Sequence, residues 1–266
     1  MNNYNFKNKT VLITAGSKGI GFSLAREFVI NGANVAICSR SISNLKKAKL
    51  LIKQDNQNNK ILTLKYDLNN ATNTKTLFEK TEKYFNSKID ILINNSGGPQ
   101  PKEIVKTTHN DWNGALNVNL KSSIFTSILA VKEMKKKRWG RIINLTSSTA
   151  KEPAFSMCLS NVTRAGLTSF GKTLSLEVAK YGITVNTILT GGVLTERLEN
   201  LIKLSIKNTN KKYKSVIKKI SNDVPVGRIA TPEEFIQLIL FLASENSSYV
   251  TGTAIPIDGG SSKSIF

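Results

Sequence analysis

Residues 10–21 read Thr-Val-Leu-Ile-Thr-Ala-Gly-Ser-Lys-Gly-Ile-Gly. The apolar run 10–14 is typical of a buried strand, and Gly19 begins a helical pattern that Gly32 closes. Small residues at a strand–helix turn let the backbone approach a pyrophosphate, while the first helical amides supply donors and a positive dipole. The stretch therefore predicts a dinucleotide-binding turn. A tight turn that holds no ligand is the alternative interpretation.

The alternation of strands and helices continues along the chain. Strands are predicted at 35–38, 61–64, 89–93, 142–145, 184–188 and 254–257, and helices at 42–52, 72–85, 112–136, 161–180 and 233–243. Strands that are apolar throughout and alternate with helices indicate a parallel sheet covered on both faces. We therefore expect one α/β domain over residues 1–266, with a doubly wound parallel sheet.

Residues 193–224 interrupt this alternation at the carboxyl end of a predicted strand, where such sheets bind ligands. The segment has a helical pattern and seven lysines, which are Lys203, Lys207, Lys211, Lys212, Lys214, Lys218 and Lys219. We interpret it as a substrate lid rather than a second domain. The lysines would steer an anionic substrate to the site, although a solvated lysine-rich surface explains them equally well.

The composition excludes several classes of function. The net charge is +20, but 31 of the 38 basic residues are Lys and 28 residues are Asn, a pattern typical of AT-rich coding. Because Arg, the usual reader of base edges, is scarce, we expect no nucleic-acid partner. No apolar run approaches the ~20 residues of a membrane span. One histidine, His109, and two cysteines, Cys38 and Cys158, exclude a Cys/His zinc cluster and fit a reducing, cytoplasmic location.

Several later motifs follow the predicted strands. Asn94-Asn95-Ser96-Gly97-Gly98 follows the fourth strand, Ser147 the fifth, and Thr190-Gly191-Gly192-Val193-Leu194-Thr195 the sixth, and Asp258-Gly259-Gly260 lies near the end. In this order and spacing the set resembles the short-chain dehydrogenase/reductase family over nearly all 266 residues. The resemblance implies a single Rossmann-like domain with a seven-stranded parallel sheet, and hydride transfer between a nicotinamide and a carbonyl or alcohol. The first glycine of the family's turn motif is replaced by Ala15, with Gly16 beside it.

The resemblance also implies the cofactor site. Its expected residues are Thr14, Gly16, Ser17, Lys18, Gly19, Ile20, Gly21, Arg40, Asp67, Asn95, Ser96, Gly97, Arg164, Gly191, Val193 and Thr195. The second strand ends without the carboxylate that accepts from the ribose of NAD, whereas Lys18 and Arg40 can face a 2′-phosphate. The sequence therefore favours NADP(H) over NAD(H), and no metal is expected. Asp67 matches the family's adenine-binding acid, with a capping role as the alternative.

The family's catalytic residues are present only in part. The serine falls at Ser147 and the upstream asparagine at Asn119. The Tyr-x-x-x-Lys pair falls at Ser160 and Arg164, in a stretch whose flanking residues keep the family's register. A serine hydroxyl is a far weaker acid than a phenol, whose pKa is ~10, and an arginine cannot join a proton relay.

Three interpretations of this variant site follow. In the first, Ser147 and Ser160 donate hydrogen bonds to a carbonyl, and water held by Asn119 supplies the proton, so that the protein is a carbonyl reductase. Its substrate would be a 3-oxoacyl or other anionic compound, free or linked to a carrier. In the second, the protein is a conjugate reductase of an enone, whose oxygen need only be polarised. In the third, it binds the dinucleotide without catalysis.

The resemblance further implies a homotetramer, because the family pairs two long helices between subunits. Both predicted helices carry apolar residues beyond one core-facing stripe. These are Ile124, Phe125, Ile128 and Leu129 in the first helix, and Leu167, Phe170, Leu174 and Leu176 in the second. For His109, near the start of the first of these helices, we expect a capping or surface role.

Overall fold

The structure is a computed structural model that describes residues 4–55, 61–70, 74–207 and 212–265. Its strands are β1 Thr10–Ile13, β2 Asn34–Ser39, β3 Ile61–Lys65, β4 Ile91–Asn94, β5 Gly140–Leu145, β6 Ile183–Thr190 and β7 Ala254–Ile257. Its α-helices are α1 Gly19–Ile30, α2 Ile42–Asp55, α3 Thr74–Phe85, α4 His109–Leu116, α5 Ser122–Lys137, α6 Cys158–Val178, α7 Glu196–Ile206, α8 Tyr213–Asn222 and α9 Ile236–Ala243.

The seven strands form one parallel sheet in the order β3-β2-β1-β4-β5-β6-β7. Val11 of β1 lies between Val35 of β2 and Ile91 of β4. One apolar core lies between the sheet and α1, α2 and α9, and a second lies beneath α3, α5 and α6. The predicted single-domain Rossmann-like sheet, covered on both faces, is confirmed. The order reverses between β1 and β4, and a ligand crevice is expected outside the carboxyl ends of strands at such a point.

Some element boundaries differ from the prediction. β4 extends to Asn94, whose side-chain amide donates to Asn144 Oδ1 (2.9 Å) and to Ser127 Oγ (2.9 Å) in the buried layer. An asparagine is not a typical strand residue, but here its hydrogen bonds are satisfied by neighbours inside the fold. The predicted start of the third helix near Thr72 lies outside the described residues.

The long helix predicted over 112–136 is divided. A single π-helical turn, Asn117–Lys121, joins α4 to α5. Such turns insert one residue into a helix and are frequent at functional sites. This turn carries Asn119, which is buried.

The predicted surface role of two leucines is wrong. Leu167 and Leu174 of α6 are 0% and 9% exposed, because they lie on the same helix stripe as Val178 and pack towards the sheet. The outward apolar residues of the two helices include Leu176, which is 71% exposed, together with Phe125 and Ile128 of α5. The physical reason is helical geometry: positions 167, 174 and 178 share one face, whereas 176 lies on another.

The predicted lid region is helical, as expected. It contains α7 and α8, and Lys211 between them lies outside the described residues. Among the helices that the structure describes, none is long and apolar enough to cross a membrane.

Candidate active site

A cavity of about 870 Å³ opens at the carboxyl ends of the strands, where the strand order reverses. Its wall is formed by the turns after β1, β2, β3, β4, β5 and β6, together with the junction between α4 and α5 and the starts of α6 and α7. The structure brings together in this wall all the predicted site residues except three. The exceptions are Thr14, Gly16 and Gly21.

Those three residues do not line the cavity, but they hold the turn after β1 against the neighbouring strands. The Thr14 hydroxyl donates to the Asn95 carbonyl (2.6 Å) and accepts from the Asn95 amide (2.9 Å). A Cβ at Gly16 would lie 2.7 Å from Ile37 Cγ2, and a Cβ at Gly21 would lie 2.6 Å from Asn95 Nδ2. Glycine is therefore required at both positions for the turn to pack this closely against the sheet.

Ala15 stands where the family's first glycine is expected. Its φ is +47°, in the left-handed region that residues with a side chain rarely adopt. The backbone thus keeps the conformation that a glycine would take, at a cost of roughly 1 kcal/mol. The departure from the motif does not change the path of the turn.

The turn after β1 and the nearby Arg40 carry hydrogen-bond donors that no described residue uses. α1 begins at Gly19, and its first amides have no partner within the helix, as in every α-helix. The side chain of Lys18 at the N-cap makes no capping hydrogen bond to them. Lys18 Nζ instead lies 2.6 Å from Glu196 Oε2 of α7. Arg40 is exposed at the cavity wall, and its guanidinium makes no hydrogen bond or ion pair with the described residues.

Asp67 lies in the turn after β3. Its Oδ1 accepts from the Asn69 amide at 3.0 Å. The carboxylate also lines the cavity, near Tyr66. The alternative role predicted for Asp67 was to cap a helix. Its carboxylate does accept a backbone hydrogen bond, but the amide belongs to a turn and not to the start of a helix.

The two predicted catalytic serines lie in the same wall of the cavity. Ser147 follows β5, and its Oγ accepts from the Thr149 amide (3.2 Å). Ser160 lies in the first turn of α6 and is 4% exposed, and its hydroxyl makes no hydrogen bond with any described residue. Each serine hydroxyl therefore still has its proton available for a hydrogen bond to a ligand.

Asn119 is fixed by both hydrogens of its side-chain amide. Nδ2 donates to Ser96 Oγ (2.8 Å) and to the Gly97 carbonyl (2.8 Å). Only the side-chain oxygen is left to accept a further hydrogen bond. The π-helical turn is what brings this residue inwards to the loop after β4.

Arg164 is buried and fully charged at neutral pH. Its Nη1 donates to the Leu145 carbonyl (3.0 Å) and its Nη2 to the Ser96 carbonyl (3.1 Å). Burial, and secondarily the charge of Arg197, lower the pKa of the Arg164 guanidinium from 12.5 to about 10. The side chain is a fixed cation that joins the ends of β5 and β4 and cannot exchange a proton near pH 7.

Sequence reasoning missed Arg197. This residue lies in the first turn of α7, lines the cavity, and donates to the carbonyls of Gly98 (2.6 Å) and Pro99 (2.9 Å). A signal was present in the sequence, since a cation in the first turn of a helix opposes the helix dipole and is therefore uncommon without another role.

Three single residues, Met157, Cys158 and His109, have defined positions in the structure. Met157 lines the cavity, and the neighbouring Cys158 Sγ lies 3.6 Å from the Lys102 carbonyl. His109 is an exposed residue at the start of α4, so the surface role is confirmed, and Thr108 supplies the cap. Within the part of the chain that is described, no cluster of His, Cys, Asp and Glu could hold a metal ion.

The known proteins that this chain resembles are reductases. Residues 14–262 match the family described as enoyl-(acyl carrier protein) reductase. The chain is 29% identical to the NADPH-dependent reductase BacG of Bacillus subtilis, over 97% of this chain and 99% of BacG. It is 32% identical to the 3-oxoacyl-(acyl-carrier-protein) reductase FabG of Buchnera aphidicola, over 96% and 97% of the two chains.

A solved structure extends the comparison to three dimensions. The L-sorbose reductase of Gluconobacter frateurii, complexed with NADPH and L-sorbose, superposes with a TM-score of 0.93 at 28% identity, over 99% of this chain and 100% of that one. The similarity therefore covers the whole fold, including the cavity and α7.

Proposed function

The chain belongs to the short-chain dehydrogenase/reductase family, and from that premise we propose that it is an NADPH-dependent reductase of a carbonyl compound. The observation that carries the proposal is the pair of hydroxyls at Ser147 and Ser160. They line one cavity, and the Ser160 hydroxyl has no protein partner among the described residues. The relatives support the choice of reaction, because BacG is named as NADPH-dependent and the sorbose reductase was solved with NADPH.

The turn after β1 fits the phosphates of a dinucleotide. The missing Cβ atoms at Gly16 and Gly21 let the turn pack closely against Ile37 and Asn95, and the amides at the start of α1 have no partners among the described residues. These amides and the turn at Ser17 would hold the pyrophosphate, and Arg40 would hold the 2′-phosphate bidentately. Once its ion pair with Glu196 is broken, Lys18 would bind the same 2′-phosphate as Arg40.

The remaining cofactor residues line the cavity on either side of this turn. Asp67 and Asn95 would contact the adenosine half, and Ser96 and Gly97 continue the same wall. Gly191, Val193 and Thr195 follow β6 and would hold the nicotinamide amide, while the free donors of Arg164 would hold its ribose. NADPH, when bound, supplies the hydride.

The side chains of this site would polarise the substrate rather than donate an acidic proton. Ser147 and Ser160 would hydrogen-bond the carbonyl oxygen, and the free side-chain oxygen of Asn119 would hold a water that supplies the proton. General acid catalysis is worth ~10²–10⁴-fold, so the loss of the phenol predicts a slower enzyme than one with the Tyr/Lys pair.

Reduction of the C=C bond of an enone is a second candidate. The wall around Ser160 offers hydroxyls and a guanidinium, which polarise an oxygen but are poor proton donors. The matching family is also described as an enoyl reductase. An enone suits this wall because its oxygen need only be polarised while carbon is later protonated by water.

Three further expectations belong to the same proposal. Residues 193–224 would act as a lid, since α7 is attached to the site through Glu196 and Arg197. The chain would form a homotetramer through the outward faces of α5 and α6, where Phe125 and Leu176 are exposed. We propose a cytoplasmic location on the basis of the two free cysteines.

The decisive experiment measures NADPH binding and consumption separately. Fluorescence titration gives the Kd for NADPH, and absorbance follows its oxidation with ketones, β-ketoacyl thioesters and enones. An alcohol product supports carbonyl reduction, and a saturated ketone supports the second candidate. Binding without turnover on every compound would leave a catalytically silent dinucleotide-binding protein, and absence of binding would contradict the proposal altogether.

A further inference from the structure

The position of Arg197 is unfavourable for the helix that carries it. Thr195 is the N-cap of α7, and its Oγ accepts from the Leu198 amide, so Arg197 is the second helical residue. Positive charge at this end of a helix opposes the helix dipole. Within the described residues the guanidinium has no carboxylate partner and is held by the Gly98 and Pro99 carbonyls alone.

The loop after β4 leaves room for this guanidinium. A Cβ at Gly98 would lie 2.8 Å from Arg197 Nη2, so any other residue there would displace the side chain. The two carbonyl contacts fix the plane of the guanidinium at the cavity wall. Two of its five N–H groups are used in these contacts, and the other three have no partner among the described residues.

Arg164 adds a second cation to the same wall. It also donates to two carbonyls, it is 5% exposed, and it too has no carboxylate partner among the described residues. The charge of Arg197 contributes to the lowered pKa of Arg164, which means that the two cations repel each other. A buried cation beside a second, partly buried cation is costly without an anion, and an anionic ligand between the two would offset that cost.

The acids that line the cavity are placed elsewhere. Glu196 forms an ion pair with Lys18, and Asp67 lies in the turn after β3. The wall that Arg164 and Arg197 share therefore has an excess of positive charge. Arg164 is one helical turn from Ser160, so this excess lies beside the hydroxyl proposed to hold the reacting carbonyl.

We propose that Arg197 determines substrate specificity by binding the carboxylate of a small oxo acid. This inference rests on the proposed function and names its substrate class. The planar guanidinium matches a carboxylate with two parallel hydrogen bonds, and the neighbouring cation strengthens the attraction. The carboxylate would lie a few bonds from the carbonyl that Ser147 and Ser160 hold. The competing source of an anion for Arg197 is the phosphate group of the cofactor.

The test compares charged and neutral forms of the same small molecules. Glyoxylate, pyruvate, acetoacetate and levulinate, each beside its methyl ester, are titrated into the NADPH complex while the fluorescence of bound NADPH is followed. The proteins are the wild type, Arg197→Met, Arg197→Lys and, as a control that also removes one positive charge, Lys46→Met, at an exposed position of α2 outside the cavity wall. Thermal melting confirms that each variant is folded, and the Kd for NADPH is measured for each.

We expect the wild type to prefer at least one oxo acid to its ester by about tenfold, which is ~1.4 kcal/mol. Arg197→Met should abolish that preference, Arg197→Lys should keep part of it, and Lys46→Met should keep it all. The Kd for the esters and for NADPH should stay the same in every protein.

Two results would overturn the inference. The first is a wild type that binds no oxo acid more tightly than its ester. The second is an Arg197→Met protein that loses NADPH affinity while its preference for the acid is unchanged, which would assign Arg197 to a phosphate of the cofactor. If the wild type binds no NADPH, the proposed function fails, and calorimetric titration of the same acids into the same proteins decides this inference separately.

Discussion

Lys18 Nζ lies 2.6 Å from Glu196 Oε2, and this contact joins the turn after β1 to the first residue of α7. Both side chains are about half exposed, and exposed ion pairs contribute little to stability. The ion pair is therefore easily broken. A phosphate that approaches Lys18 competes with the Glu196 carboxylate for the same ammonium group. We therefore expect cofactor binding and release of α7 to be coupled through Lys18.

Removing the acid should favour the phosphorylated cofactor. In Glu196→Gln the ammonium group of Lys18 has no competing carboxylate, so we expect NADPH to bind a few-fold more tightly and NADH to bind as before. Fluorescence titration measures both constants. Glu199→Gln, on the same helix, is the control and should change neither. An equal gain for NADH would show that Lys18 does not contact the 2′-phosphate.

Cofactor selectivity should depend chiefly on Arg40. We expect NADPH to bind at least tenfold more tightly than NADH, a difference of ~1.4 kcal/mol. Arg40→Asp should reverse much of this preference, because the new carboxylate repels a 2′-phosphate and accepts from a ribose hydroxyl. Lys46→Asp, at an exposed position of α2, changes the charge equally without touching the cavity wall. Equal affinity of the native protein for the two cofactors would contradict the assignment.

Ser160→Ala should reduce turnover about as much as the loss of one oxyanion donor, ~10²-fold. The Kd for NADPH should be unchanged, because the hydroxyl contacts no other described residue and Arg164 is held independently. Steady-state kinetics on a substrate identified in the panel give the result. If turnover is unaffected, Ser160 only fills space, and enone reduction becomes the better interpretation.

Rebuilding the family's usual pair should require both changes. Ser160→Tyr restores a phenol without the lysine that lowers its pKa, and it fills part of the cavity, so little gain is expected. Adding Arg164→Lys should give more activity than the sum of the separate effects, because the two side chains act as one unit. A double-mutant cycle on kcat measures this coupling, and strictly additive effects would mean that the two positions act independently.

Activity should vary little between about pH 6 and pH 9. The hydroxyls of Ser147 and Ser160 do not titrate in this range, and Arg164 stays charged because its pKa is lowered only to about 10. Since the folded pKa lies below the unfolded value of 12.5, the charged guanidinium destabilises the fold at all lower pH, and that cost is relieved only as the pH rises through about 10. A profile of kcat/KM against pH that falls tenfold per unit above pH 7 would reveal a titrating acid that the site residues do not provide.

Light scattering at micromolar concentration should give the mass of a tetramer. Leu176→Glu and Phe125→Glu place a charge on the exposed apolar faces of α6 and α5 and should lower that mass. Val105→Glu is the control, since this exposed residue lies in the short 3₁₀ turn before α4. A native monomer would contradict the prediction.

The sequence predicts the sheet, the cavity and most of its wall because each depends on local pattern. Apolar runs identify the strands, and parallel strands place their carboxyl ends at one edge of the sheet, so motifs such as the one at Asn95 meet there. The replacement of the family's Tyr/Lys pair is equally visible, since it lies in one helix at fixed spacing.

The contacts between distant segments were not predictable in the same way. Nothing local relates Lys18 to Glu196, or Arg197 to Gly98, because these contacts depend on where α7 settles over the sheet. The burial of Leu167 was missed for another reason. A helix with apolar residues on two faces does not reveal from its sequence which face packs on the sheet.

The two cysteines differ in a way that makes the protein easy to observe. Cys38 is fully buried behind the turn at Ala15, and burial raises the pKa of its thiol to about 12, which makes it inert to alkylating reagents. Cys158 is half-buried and adjacent to Met157, which lines the cavity. A thiol-reactive dye should therefore label one position beside the cavity, so the native chain already carries a single attachment point for an optical reporter with which the predicted lid motion can be tested.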